Sequence, residues 1–348
     1  MNVNTLIRLY RALIRGERPN YVIAFVTGRC NLRCSYCCYA AQNVRPFSKT
    51  NELTSEQWAS VFKGLDGLVH LTITGGEPFL REDLSDLICA MVHSSKTPRI
   101  SINTNGLLTD RILSTLEDVL SRTTCLDIAL AVSIDGLEAV HDRLRGLPGA
   151  YQVAYSTVKG ASALAERHNN LTVRVASVLC EDNADDLGSF IEETAAWPID
   201  FHDIGLVRDV SDTVQRKLAK TYALLTERQL KQGSLRYLGG LEWRLQRQLR
   251  REVLSRINRP KGHSRCLAGG RLMEVFPDGT IRGCEMGKMW SESVIVNGGA
   301  TVMPLKDAVE LPEAARFRLR AAQCSCSFEC AIACSTVFQP QNWWRLLF

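Results

Sequence analysis

Apolar residues recur in two rhythms along this chain, and the alternation between them sets out the expected fold. Short strand-like runs occupy 21–26, 68–74, 99–104, 126–133, 171–179 and 201–207. Between them, helical spacing predicts helices over 54–64, 82–93, 109–120, 150–167 and 184–196, with Thr54, Thr109 and Asn183 as N-caps. Strand and helix in alternation argue for an α/β fold, a parallel sheet closed or partly closed with helices outside, and an open sheet is the alternative. Ahead of the first strand, 4–15 reads as an amphipathic helix. Leu6, Leu9, Tyr10 and Leu13 share one face and Arg8, Arg11 and Arg15 the other. It is expected to close the bottom of the barrel, with peripheral contact to a membrane surface as the alternative. Arg18-Pro19-Asn20 then ends it.

From 210 to 262 the sequence turns long, basic and helical, with breaks expected at Gly233 and Gly239-Gly240. Arg244, Arg247, Arg250, Arg251, Arg256 and Arg259 crowd this stretch, beside Glu242 and Glu252. They read as a solvated helix face, with a groove for an acidic peptide or for phosphate groups as the alternative. Farther on, Pro277-Asp278-Gly279 between two short apolar runs predicts a hairpin that brings Cys266 and Cys284 together. The expected organisation is an N-terminal helix over 1–20, a barrel over 21–210, a basic helical connector over 211–265 and a Cys-rich hairpin-plus-helix extension over 266–348.

Composition narrows the class. Hydrophobic residues make up 45% and charged residues 23%, which is ordinary for a globular protein. No apolar run is long enough to span a bilayer. The net charge of +5, from 42 basic and 37 acidic residues, is too small to imply nucleic acid. Thirteen cysteines without a secretory signal point to a reducing, cytoplasmic compartment and to metal ligation.

Three of those thiols, Cys30, Cys34 and Cys37, stand in C-x3-C-x2-C spacing directly after the first strand. A cubane iron–sulfur cluster takes four ligands, so this loop leaves one iron open. Cys38 competes for the third place. At the end of the second strand lies Thr74-Gly75-Gly76-Glu77-Pro78, where two glycines permit close backbone approach and Pro78 fixes the exit. Asn103-Thr104-Asn105-Gly106 and Ser133-Ile134-Asp135-Gly136 close the third and fourth strands, and Arg145 follows. Functional loops of such architectures leave these strand ends. The cysteine loop and the GGEP-like segment together resemble the radical S-adenosylmethionine (SAM) enzymes. That resemblance implies a partial (β/α)6 TIM-like barrel and a [4Fe–4S] cluster on Cys30, Cys34 and Cys37 whose open iron chelates SAM. Tyr36 favours Cys37 over Cys38 only through resemblance to the family motif, which carries an aromatic just before its last cysteine. It implies cofactor contacts from Tyr36, Gly75, Gly76, Glu77, Asn105, Ser133 and Arg145, with Ser133 at the ribose and Arg145 at the SAM carboxylate. Asp135-Gly136 reads as an ordinary turn, and His141 as a surface or structural histidine.

The C-terminal cysteines resemble the SPASM and twitch auxiliary-cluster extensions of the same enzymes. Cys266 and Cys284 flank the hairpin, and Cys324, Cys326, Cys330 and Cys334 follow as C-x-C-x3-C-x3-C, which departs from the full SPASM spacing. Six cysteines imply one auxiliary [4Fe–4S] cluster, held by Cys266, Cys284 and two of Cys324, Cys326 and Cys330. A second, incompletely ligated cluster is the alternative, and spacing alone also allows a zinc ribbon. Cys89, Cys125 and Cys180 are expected to be core thiols. Glu285 follows Cys284, and resemblance to sulfatase-maturing enzymes implies a proton-accepting role for it.

The resemblance implies reductive cleavage of SAM to a 5′-deoxyadenosyl radical that abstracts hydrogen from an organic substrate, with peptide oxidation or cross-linking foremost. A twitch-type dehydrogenase or epimerase of a small molecule such as a sugar or aminocyclitol is the alternative. An iron–sulfur electron carrier or metal-stabilised interaction protein is the reading from another class, and Gly75-Gly76-Glu77-Pro78 speaks against it. Expected partners are an electron donor such as flavodoxin or ferredoxin and a separate leader-peptide-binding protein, since only about twenty residues precede the first strand. The aromatic, basic tail around Trp343-Trp344 is expected to pack on its own domain.

Overall fold

The structure, a computed structural model, describes residues 3–14, 16, 18–41, 52–232, 240–258, 265–286, 294–299, 302–324 and 326–339. Gly233, Gly239, Arg259 and the Trp343-Trp344 tail lie outside these, as does Arg15.

Six strands stand side by side in chain order: β1 (Tyr21–Thr27), β2 (His70–Gly75), β3 (Arg99–Thr104), β4 (Asp127–Ser133), β5 (Leu171–Leu179) and β6 (Phe201–Leu206). Each pairs in parallel with the next, which makes the expected partial barrel. The sheet does not close on β6. The free edge of β1 instead takes β7 (Leu272–Val275) in parallel, from Tyr21↔Leu272 to Ala24↔Val275. β8 (Ile281–Arg282) and β9 (Val294–Val296) continue antiparallel from it. The predicted hairpin is therefore present, and its first strand extends the barrel sheet. Its turn includes Gly279 at φ +84°, in the left-handed region that favours glycine.

The helices are α1 (Val3–Ile14), α2 (Cys38–Ala41), α3 (Ser55–Phe62), α4 (Leu84–Ser95), α5 (Thr109–Arg122), α6 (Glu138–Arg145), α7 (Ala150–Ala165) and α8 (Leu187–Thr194). After β6 come α9 (Asp212–Gln232), α10 (Gly240–Asn258), α11 (Leu305–Ala308), α12 (Pro312–Ala321) and α13 (Glu329–Val337). The alternation of β1 divides the interior. Val22, Ala24 and Val26 pack with Trp58, Phe62, Leu71 and Ile73 in the layer between sheet and helices. Ile23 and Phe25 face the other way, with Phe276, Phe317, Phe328, Cys266 and Cys284 of the extension. Each valine, leucine, isoleucine or phenylalanine among them contributes about 1.5–3 kcal/mol on burial.

Four expectations need correction. Thr54 caps α3 with a complete capping box, but α5 begins at Thr109 with Leu108 before it, and the Thr109 hydroxyl instead meets Thr157 Oγ1 at 2.6 Å. Asn183 caps no α-helix. Its buried amide donates to Asp135 O (2.8 Å) and Val178 O (2.9 Å), pinning the loop after β5. In α1, Arg8 is buried, donating to Leu65 O (3.0 Å) and Asp66 O (2.6 Å), while Tyr10 is exposed. Carbonyls that end the segment before β2 attract a guanidinium more strongly than a phenol. Cys89 and Cys180 are buried as expected, but Cys125 is exposed, because it falls in the turn before β4.

Candidate metal and cofactor site

The cysteine loop is clamped from two sides. Gly76 N–H donates to Thr27 O and Glu77 N–H to Arg29 O, both at 2.8 Å, tying the end of β2 to the start of the loop. A Cβ on Gly76 would lie 2.0 Å from Arg29 O, and one on Gly75 2.3 Å from Thr27 O. No side chain fits there, so the glycine pair is what lets the two backbones touch. On the other side, Ser35 N–H donates to Leu144 O of α6 at 3.0 Å.

These strand ends enclose a cavity of about 420 Å³. Cys30, Cys34, Cys37, Tyr36, Gly75, Gly76, Asn105, Ser133 and Arg145 all line it. Glu77 does not. Its carboxylate is 1% exposed and accepts from Phe79 N (3.1 Å), Thr104 Oγ1 (2.9 Å) and Asn105 N (2.7 Å). Burial pushes this carboxyl up to about 7, against the pull of those donors. Glu77 thus braces the ends of β2 and β3. Asn105 passes the brace on, donating from Nδ2 to Asn31 Oδ1 at 2.7 Å, beside Cys30.

Arg145 is held at the cavity wall by Asp135, Nη2 to Oδ2 at 2.7 Å, and its Nη1 lies 3.6 Å from Cys34 Sγ. The same Asp135 oxygen accepts from Tyr36 Oη at 2.6 Å. Burial, with Asp135 beside it, raises the Tyr36 phenol well above its usual value, so Tyr36 remains a donor. Burial also raises the Cys34 thiol, and the Arg145 charge opposes it. Cys38 lines the cavity too; both it and Cys34 neighbour Cys37, but its other charged neighbours are Arg208, Glu285 and Asp209, whereas those of Cys34 are Arg145 and Asp135.

The opposite wall carries Glu285, 4% exposed, which accepts from Arg208 Nη1 and from Tyr39 Oη. Behind it stands Glu274 of β7, with no exposure to solvent. Burial, with Glu285 near, raises its carboxyl well above the usual range. The extension's cysteines share the apolar layer under β1. Cys326 hydrogen-bonds Cys324, burial and Cys324 together raise Cys266, and Cys266 and Cys284 interact in turn. Cys330 packs against the same layer but has a second exposure. It lines the central cavity and meets Tyr21, and burial pushes its thiol up to about 11. Cys334 lies between, within reach of Cys266 and Cys330.

The donor set fits the expected clusters. All thirteen cysteines are described and none forms a disulfide. Three open on one cavity with a guanidinium to offset thiolate charge, and four lie together in an apolar layer. No group of three His, Cys, Asp or Glu side chains among the described residues is arranged to hold a single ion. Ligands of a cubane sit on different irons and need only surround it. Sequence reasoning missed Asp135, read as a turn, and Arg208, which lies in no motif; the pairing of each is set by chain segments far away.

Residues 25–193 match the family model for the Radical SAM superfamily. The sporulation killing factor maturation protein SkfB of Bacillus subtilis (strain 168) is 33% identical over 172 residues, 49% of this chain and 38% of that protein. The chain thus spans well under half the length of that relative. GTP 3′,8-cyclase of Pseudomonas putida (strain W619) is 28% identical over 253 residues, 68% of this chain and 71% of that one. Among solved structures, native anSMEcpe with bound AdoMet has a TM-score of 0.57 at 19% identity, covering 86% of this chain and 82% of that one. That likeness is one of fold.

Proposed function

We propose that this chain, which belongs to the Radical SAM superfamily, cleaves SAM reductively and directs the resulting radical at a peptide. When bound, a cubane on Cys30, Cys34 and Cys37 supplies the electron and open iron for that cleavage, and a second on Cys266, Cys284, Cys324 and Cys326 supplies an electron acceptor. The carrying observation is that the three loop thiols, the glycine pair, Arg145 and Glu285 open on one cavity.

The chain's own residues bind and orient. Gly75 and Gly76 bring backbone to the cofactor's methionine end, Ser133 and Asn105 offer hydrogen bonds to its ribose, and Arg145 meets its carboxylate. Arg145 keeps an unpartnered, buried Nε for that purpose while Asp135 fixes its plane. Glu285 is the proton acceptor on the substrate side. Arg208 and Tyr39 each hydrogen-bond one of its oxygens and so fix the direction in which the carboxylate points.

The similarity to SkfB, a maturation protein for a sporulation killing factor, supports a peptide substrate. A small-molecule substrate is the second reading, favoured by the longer match to GTP 3′,8-cyclase. An external one-electron donor of the flavodoxin or ferredoxin type completes the scheme. Anaerobic reconstitution followed by SAM and dithionite tests the central step. 5′-Deoxyadenosine is expected from the parent protein and not from Cys34→Ala, and equal release by both sinks the assignment. Full product formation by Glu285→Gln with normal SAM cleavage removes Glu285 from the chemistry.

A further inference from the structure

We infer that Arg250 anchors an anionic group of the substrate, a carboxylate or a phosphate, within the same cavity; this deepens the functional reading above and rests on it. Three arginines line that cavity: Arg145, Arg208 and Arg250. Two have a resident counter-ion, Asp135 for Arg145 and Glu285 for Arg208. Arg250 has none among the described residues. It is 5% exposed, and its two hydrogen bonds go to neutral amides, Nη1 to Gln246 Oε1 (3.0 Å) and Nη2 to Gln229 Oε1 (2.6 Å).

A guanidinium offers five N–H donors. The Arg250 Nε is buried without a partner. The acids that feel its charge are engaged elsewhere: Asp203 pairs with Arg174 at 3.5 Å, and Glu329 accepts from Leu206 N–H at 2.9 Å. A cation taken out of water without a counter-ion works against folding, and such groups persist where a ligand brings the missing charge. The two glutamines fix the plane of the fork without neutralising it, and its flat face lies over Phe201, 5.6 Å from the ring centre. That is how a bidentate oxyanion site is built before its ligand arrives. A group held there lies in one cavity with Cys30, Cys34 and Glu285, so the anchor fixes which hydrogen of the substrate faces the cofactor.

The test uses the reconstituted full chain and follows its melting temperature in sodium acetate and in inorganic phosphate, against chloride at matched ionic strength. The parent protein is expected to be stabilised by at least one of these anions. The apparent affinity is expected to fall about tenfold or more in R250Q, as for a lost charge-assisted pair. Stabilisation by acetate alone identifies a carboxylate source, and by phosphate alone a phosphate source. No stabilisation of the parent, or an equal shift in R250Q, overturns the inference. Should R250Q fail to fold, R250K carries the test: it keeps the charge but not the fork, and an undiminished shift in it overturns the inference equally. 5′-Deoxyadenosine release by the parent, measured in the same preparation, tells failure of the radical reading apart from failure of the anchor.

Discussion

Asp135 accepts from Tyr36 Oη, Arg145 Nη2 and, through Oδ1, Val178 N–H at 3.0 Å, with no exposure to solvent. One carboxylate thereby sets the ring before Cys37 and the guanidinium beside Cys34. Replacing it with asparagine leaves Arg145 buried without its counter-ion, and breaking a buried pair from one side costs about 3–5 kcal/mol. Urea unfolding of Asp135→Asn is expected to show a loss of that order, with weaker SAM binding. A variant as stable as the parent would mean that Arg145 finds its charge balance elsewhere. Glu77 makes a narrower case. Its three partners are all donors, and in Glu77→Gln the new amide nitrogen would meet Asn105 N–H in place of an acceptor. An orphaned buried N–H costs about 1–3 kcal/mol. The variant should melt lower and hold its first cluster less firmly, since Asn105 bonds Asn31 in the cysteine loop. Iron content and melting temperature unchanged from the parent would remove Glu77 from the brace.

At the scale of elements, the six barrel strands and five of their helices could be read because their apolar rhythms are local. The faces of α1 and α10 could not. Arg8 and Arg256 are buried against carbonyls contributed from 57 and 68 or more positions away, and no local pattern encodes that. Of the basic run on α10, Arg244, Arg247 and Arg251 are exposed as expected, while Arg250 and Arg256 point inward. Helix α6 was not among the expected helices because it is short and polar. The division of labour within the GGEP-like segment was not legible, since only the contacts show that Gly75 and Gly76 reach the cavity and Glu77 does not. Likewise nothing in the Cys324–Cys334 spacing separates Cys330 from the other thiols of the extension. Arg256 offers a test of the extension. It donates to Cys324 O (3.5 Å) and Cys326 O (3.4 Å) and pairs with Glu252 at 3.4 Å. Arg256→Met should lower iron content toward that of a single cluster while Cys34-dependent SAM cleavage survives, as measured by iron analysis beside 5′-deoxyadenosine release. Full iron content in the variant would free the Cys324–Cys326 segment from dependence on α10.

The whole molecule is one sheet serving two sets of thiols. Because β7 pairs with β1, the strand that delivers Cys30 also supports the extension's apolar layer, and loosening either is felt by both. Global stability then has a calculable pH dependence. His202 is buried and His70 half-buried within or beside this sheet, and removal from water lowers both from the usual histidine value to about 3; the buried His141 is lowered to about 4 for the same reason. The folded state refuses protons that the unfolded chain takes up near pH 6.5. Their contribution to stability is therefore complete above that value and is lost as pH falls below it, with a slope of about 1.4 kcal/mol per pH unit for each histidine. Glu77 works with the opposite sign, because its folded value near 7 exceeds its unfolded one, so its contribution is present at low pH and fades as pH rises through that window. A difference between variants isolates one term from this sum. His202 bonds Ser177 Oγ (2.8 Å) and Thr194 Oγ1 (2.9 Å) through its two nitrogens, which the single amide of glutamine can imitate in part. His202→Gln should be less stable than the parent at neutral pH, yet lose stability more slowly between about pH 6 and pH 5, by one proton's slope. Parallel curves for the two proteins would mean that His202 is charged in the fold, and the two hydroxyls beside it would then have to accept rather than share a proton.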